Sequence, residues 1–147
     1  MSADSPAGLP DLDLDANAFG RATGLRLTAV SGERVTGVLE VGPDQHTPWG
    51  VVHGGVYCAA IEATASVGAS SAVAADGRFA VGVNNNTDFI RATVEGTLDV
   101  VAEPIQQGRT QQLWQVLITR VEDGALVSRG QVRLQNIRLP GNRPSTS

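Results

Sequence analysis

The sequence predicts an α+β domain in which one long helix packs on a curved antiparallel sheet of five to six strands. Three observations carry this. A single apolar run, Gly54 to about Ser71, is long enough for a helix of five turns. The segments around it are short, alternate between apolar and polar residues, and are joined by brief connections. Short connections favour antiparallel neighbours, and one helix on one sheet is a standard two-layer arrangement.

The elements follow in order. Residues 1–15 are polar, contain Pro6 and Pro10, and read as a disordered lead. Asp15 to Gly20 reads as a short capped helix closing at Gly20 or Gly24. Leu25 to Thr28 and Arg34 to Val41 read as a hairpin about Ser31-Gly32-Glu33, with Val35, Gly37, Leu39 and Val41 on one face. Pro43 and Pro48 mark a loop before the helix.

Val81 to Ile90 reads as a strand. In the next strand, from Val94, residues Val94, Leu98, Val100 and Ala102 share a face opposite Glu95, Thr97, Asp99 and Glu103. Leu113 to Val121 is apolar on both faces and reads as central. In Val127 to Ile137, the odd-numbered Val127, Arg129, Gln131, Arg133, Gln135 and Ile137 face away from Val132 and Leu134. The domain is expected over 16–138, with a flexible tail at 139–147.

At 147 residues the chain is sized for one domain. Its net charge is −4 and every one of its eleven basic residues is Arg. That balance argues against general nucleic-acid or membrane-surface binding and leaves room for a local Arg cluster on an anion. The single Cys58 excludes an intrachain disulfide. Two His and no clustered carboxylates make a poor metal site. No signal-peptide pattern opens the chain, so a cytoplasmic location is expected.

The chemistry centres on Glu62, the only formally charged residue between Val51 and Ala75. A carboxylate aimed into an apolar core is costly unless paired, so its place in this helix suggests a working group. On a helical wheel Gly55, Cys58, Ala59, Ser66 and Ala69 lie within about 60° of Glu62, and Val56, Tyr57, Ala60, Thr64 and Val67 lie opposite. Ser66, one turn on, is placed to hydrogen-bond the carboxylate or a water. His53-Gly54-Gly55 precedes the helix, where backbone N–H groups lack intrahelical acceptors and glycine permits close approach. Such donors stabilise a carbonyl oxygen whose charge grows in a transition state. A carboxylate with an oxyanion site suggests acyl transfer to water. Against this stand plainer readings: a lone Glu in an Ala-rich helix usually faces solvent, Gly-Gly before a helix is often only a turn, and Cys58, Trp49 and Trp114 are expected to serve packing.

Pro48-Trp-Gly-Val-Val-His-Gly-Gly-Val-Tyr-Cys-Ala-Ala-Ile-Glu62 and Val81-Gly-Val-Asn-Asn-Asn-Thr-Asp-Phe-Ile-Arg91 resemble the hot-dog-fold acyl-CoA thioesterases, in particular the Glu-type phenylacetate-pathway and 4-hydroxybenzoyl-CoA branch. The likeness extends through Gly108 to Trp114 and Arg129 to Asn136. It implies a helix wrapped by the sheet, active sites at the interface of a homodimer, and dimers that pair into tetramers. It implies Glu62 as the catalytic carboxylate, Gly54 as the N–H that polarises the thioester, His53 as the residue shaping that loop, and Ser66 as a hydroxyl near the acid. It implies that Gly55, Gly82, Phe89, Ile90, Arg91, Gln106, Gly108, Arg109, Thr110 and Gln111 line the substrate and CoA channel. CoA is then part of the substrate and no retained cofactor is expected. Where the family often carries Gln in the loop, this chain has Thr47, with Gln45 or His46 as possible substitutes. The expected activity is hydrolysis of an aryl- or medium-chain acyl-CoA. The rivals are a non-catalytic acyl-CoA-binding protein and an enoyl-thioester hydratase or dehydratase; the latter would want an acid–base His that the helix lacks.

Overall fold

A computed structural model describes residues 14–139. Most of the expected disordered lead (1–13) and nearly all of the expected tail (140–147) lie outside the described residues. Leu14–Ala16 forms a 3-10 turn. Helix α1 (Ala18–Thr23) follows, with the Asn17 side chain accepting from the Gly20 N–H and the left-handed Gly24 closing it. The alternative end at Gly20 is therefore not used.

Strands β1 (Leu25–Val30) and β2 (Val35–Val41) form the expected hairpin, with Val35, Gly37, Leu39 and Val41 buried together. Helix α2 (Gly54–Val73) runs two residues past its expected end and continues into a 3-10 turn, Ala74–Asp76, closed by the left-handed Gly77. Four strands complete the fold: β3 (Arg78–Phe89), β4 (Gly96–Gln107), β5 (Gln111–Arg120) and β6 (Leu126–Arg138).

All six strands join one antiparallel sheet in the order β1-β2-β4-β5-β6-β3. β5 is central, as its two apolar faces predict. β3 lies at the far edge, so one side of this 12-residue strand has no partner strand among the described residues. Helix α2 touches all six strands, which the sheet can achieve only by curving round it. By length and composition α2 could cross a membrane, but here half of that stretch is buried inside the sheet.

The core is aliphatic around one indole. Leu39, Leu98, Val100, Val116, Ile118, Val132 and Leu134 pack beneath Ile61, Ala65 and Ala69 of the helix. Trp114 is fully buried and lies against Gly68, where a Cβ would come within 2.5 Å of the ring. The indole N–H donates to Gln112 Oε1 at 2.9 Å. The Gln112 amide in turn donates to Ala69 O at 2.9 Å and to Asn136 Oδ1 at 2.8 Å. A buried polar group is tolerated when it is fully hydrogen-bonded in this way.

Three patterns depart from expectation. Val94 is exposed and precedes β4, which starts at Gly96. Val127 is fully buried although its odd-numbered neighbours Arg129, Gln131 and Arg133 face outward. The register shifts beside it, where Ile118 pairs with Ser128 and Thr119 with Leu126, and an extra residue in one strand resets the alternation. Trp49, expected to pack, is 85% exposed on the loop before α2.

Candidate active site

The first turn of α2 is built by its own sequence. His53 is the N-cap, and its Nδ1 accepts the Gly55 N–H at 2.8 Å. A Cβ on Gly55 would stand 2.9 Å from that nitrogen, so glycine admits the ring. Gly55 is thus committed to His53. The Gly54 N–H has no acceptor among the described residues and remains available, at the positive end of the helix dipole. The Phe89 ring from the end of β3 covers Gly54, with a hypothetical Cβ only 2.7 Å from it.

A cleft of roughly 580 Å³ opens here, between residues 51–57 and residues 89–92. His53, Gly54, Gly55, Phe89, Ile90 and Arg91 line it as the sequence suggests. Tyr57 also lines it and was not foreseen, although it stands one turn after Gly54. Its hydroxyl and that of Thr93 are buried without a well-formed hydrogen bond. Burial pushes the phenol above its ordinary range, while the nearby Thr93 hydroxyl and the Arg120 charge act the other way.

Glu62 is not aimed into the core. The buried face of α2 is Tyr57, Ala60, Ile61, Thr64, Ala65 and Gly68, and Glu62 stands exposed on the other side. Its carboxylate has no hydrogen bond or ion pair among the described residues. Ser66 is half-buried on the same side and makes no hydrogen bond to it. Cys58, also on this side, is only partly buried. The carboxylate rests instead over the edge strand, with Oε1 2.7 Å from where a Cβ of Gly82 would be. Eight residues separate Gly54 from Glu62, which is roughly 12 Å along the helix. One thioester carbonyl cannot touch both groups of the same chain.

The loop before the helix is fully occupied with its own geometry. Gln45 Oε1 accepts the Gly42 N–H and its amide donates to Glu40 O. The His46 ring pairs with Val94 O at 2.5 Å. Neither side chain is free to replace a Gln at position 47. Thr47 Oγ1 accepts from the Trp49 N–H at 3.3 Å and Thr47 O from the Gly50 N–H at 3.0 Å, so Thr47 shapes the turn.

Gln106, Gly108, Arg109, Thr110 and Gln111 lie at the β4–β5 turn, away from the cleft. Gln112 ties this end of β5 to Ala69 O, roughly 22 Å along the helix from Gly54. Asn136 Nδ2 donates to Gly108 O and Arg109 O, and Arg78 to Arg109 O at 2.7 Å. Within one protomer the expected site residues therefore fall into four places: the cleft, the loop holding Thr47, the edge strand under Glu62, and this turn.

Comparison with known proteins agrees with the architecture. Residues 50–127 match the thioesterase superfamily. A Mycobacterium tuberculosis protein named as a candidate esterase is 45% identical over 138 residues, spanning 92% of this chain and 95% of its own. The solved structure of a mycobacterial protein so named superposes with a TM-score of 0.81 at 44% identity, covering 87% of this chain and all of that one. A thioesterase from Haemophilus influenzae gives a TM-score of 0.82 at 27% identity, covering 98% and 100%. A Listeria monocytogenes 1,4-dihydroxy-2-naphthoyl-CoA hydrolase is 30% identical over 96 residues, 65% of this chain and 77% of that one. The chain belongs to the thioesterase superfamily and has the hot-dog fold of its solved neighbours. It is a thioester hydrolase by class.

Proposed function

We propose that this protein hydrolyses an acyl-CoA, with an aryl or medium-chain acyl group, at a site shared by two copies of the chain. Glu62 of one copy and the Gly54 N–H of the other act on the same carbonyl. The observation that carries this reading is the placement of Glu62: exposed, unpaired, and beside the unpartnered edge of β3, while its own Gly54 is too distant to share a substrate. Edge-to-edge pairing of β3 satisfies its free backbone groups and brings a second helix start toward the carboxylate. Pairing of two such dimers into a tetramer completes the proposed assembly.

In this scheme the Gly54 N–H, aided by the helix dipole, stabilises the oxyanion. Glu62 either attacks the thioester carbon or removes a proton from the water that does. The CoA thiolate leaves and the free acid is released. The cleft walls Val51, Val52, Tyr57 and Phe89 offer an apolar bed for the acyl group. The aryl preference draws support from the similarity to the Listeria naphthoyl-CoA hydrolase. Arg109 at the β4–β5 turn and Arg91 at the cleft are the proposed phosphate partners of CoA.

Glu62→Gln tests the mechanism. Hydrolysis of benzoyl-CoA and octanoyl-CoA, followed by free-thiol release, is expected to lose at least ~10²-fold in kcat with fold and assembly retained. Near-normal turnover would refute Glu62 as the working group.

A further inference from the structure

We propose that Gly82, together with the bulge that follows it in β3, is the positioning device for the Glu62 carboxylate. The proposal rests on the reading that Glu62 carries the hydrolysis.

The bulge is visible in the register. Gly82 pairs with Leu134 and Asn84 with Arg133, so Val83 is an extra residue in β3. An extra residue flips the side-chain alternation beyond it. Before the bulge, even-numbered residues face α2: Ala80 is buried, and Gly82 lies under Glu62. Beyond it, odd-numbered residues do: Asn85 Nδ2 donates to Cys58 O at 3.1 Å, and Phe89 covers Gly54. A regular strand would turn Asn85 and Phe89 away from the helix. The bulge therefore lets one edge strand serve both Glu62 and the helix start.

Gly82 is glycine for space and not for backbone freedom. Its φ is not positive, so alanine can adopt the same conformation. A Cβ there would come within 2.7 Å of Glu62 Oε1 and 3.5 Å of its Cδ. Oxygen and methyl cannot share that position, and the carboxylate must swing off the strand. Among the described residues nothing else holds it: Glu62 makes no hydrogen bond or ion pair there, so the bare backbone of Gly82 decides how low it lies.

The test compares Gly82→Ala, Glu62→Gln and the double variant with the wild type, on benzoyl-CoA, with melting temperature and light scattering as controls. Gly82→Ala is expected to fold and assemble normally, since the position is exposed with ordinary backbone angles. Its kcat is expected to fall about 10-fold or more, because displacing a reacting group by ~1 Å costs up to ~10²-fold. KM is expected to stay within about 3-fold, because uniform substrate binding is untouched. In the Glu62→Gln background, Gly82→Ala is expected to cost nothing further, since its effect runs through the lost charge. Full kcat in Gly82→Ala beside an inactive Glu62→Gln overturns this proposal alone. So do independent, multiplying losses, or a Gly82→Ala chain that fails to fold. An active Glu62→Gln overturns the hydrolytic reading itself and this proposal with it.

Discussion

At the scale of single residues, two side chains have unfinished chemistry, one in the cleft and one in the loop before α2. Tyr57 buries a hydroxyl with no well-formed partner, which ordinarily costs about 1–3 kcal/mol. Tyr57→Phe is therefore expected to leave stability unchanged or raise it slightly, as read by thermal melting at pH 7. The raised phenol pKa has its own signature. The folded state holds the proton more tightly than the unfolded chain, so this contribution is complete below pH 10 and is lost as pH climbs beyond it. Melting temperatures above that pH should fall less steeply in Tyr57→Phe than in the wild type. Thr47 poses the second question. With Gln45 and His46 both held elsewhere, no other amide of this loop is free to meet the thioester. Thr47→Gln is expected to raise kcat toward some acyl-CoA. A steep loss in steady-state assays would show that the turn bond to the Trp49 N–H outweighs the gain.

At the scale of elements, the β4–β5 turn is a loop held from behind. Asn136 and Arg78 draw the carbonyls of Gly108 and Arg109 inward, and Gln112 locks Asn136 to the helix. That leaves the Arg109 side chain projecting on a stiff hairpin, exposed and without an ion-pair partner among the described residues. Arg109→Ala is expected to raise KM for CoA thioesters with a smaller change in kcat, and to affect acyl-pantetheine thioesters less, because these lack the nucleotide phosphates. Equal defects on both substrates would place Arg109 outside the nucleotide site.

At the scale of the whole molecule, the free edge of β3 is the prominent feature. Its 12 residues expose Val83 and Phe89 along a side with no partner strand among the described residues, and such edges are either covered or prone to association. A symmetric dimer at minimum is expected in light scattering, and a fully active monomer would remove the shared site. Binding of CoA to local Arg side chains of a net-acidic protein should also weaken as salt is raised, which titration at two ionic strengths can measure.

How much of this was legible in the residues differs from level to level. Periodicity alone placed β2, the central β5 and the long helix, because burial on one or both faces of a strand leaves a period-two or continuous apolar trace. The His53-Gly54-Gly55 cap was equally readable, since capping is a contact between neighbours in sequence. The orientation of Glu62 was not. Hydrophobicity is spread almost evenly round α2, so the sequence offers no stripe to mark the buried face, and only packing on six strands selected the side bearing Tyr57, Ile61 and Ala65. The bulges at Val83 and Val127 were hidden for a related reason. An extra residue in one strand is defined by its partner strand, which lies about 50 residues along the chain for Val83 and about ten for Val127. The sequence by itself determined the class of fold and the types of group that could cleave a thioester. The spacing that keeps Gly54 and Glu62 of one chain apart was readable too, because it is eight residues of helical rise. Tertiary structure alone decided that Glu62 lies exposed over Gly82 of the edge strand, because only packing against the sheet selects which face of the helix is left open.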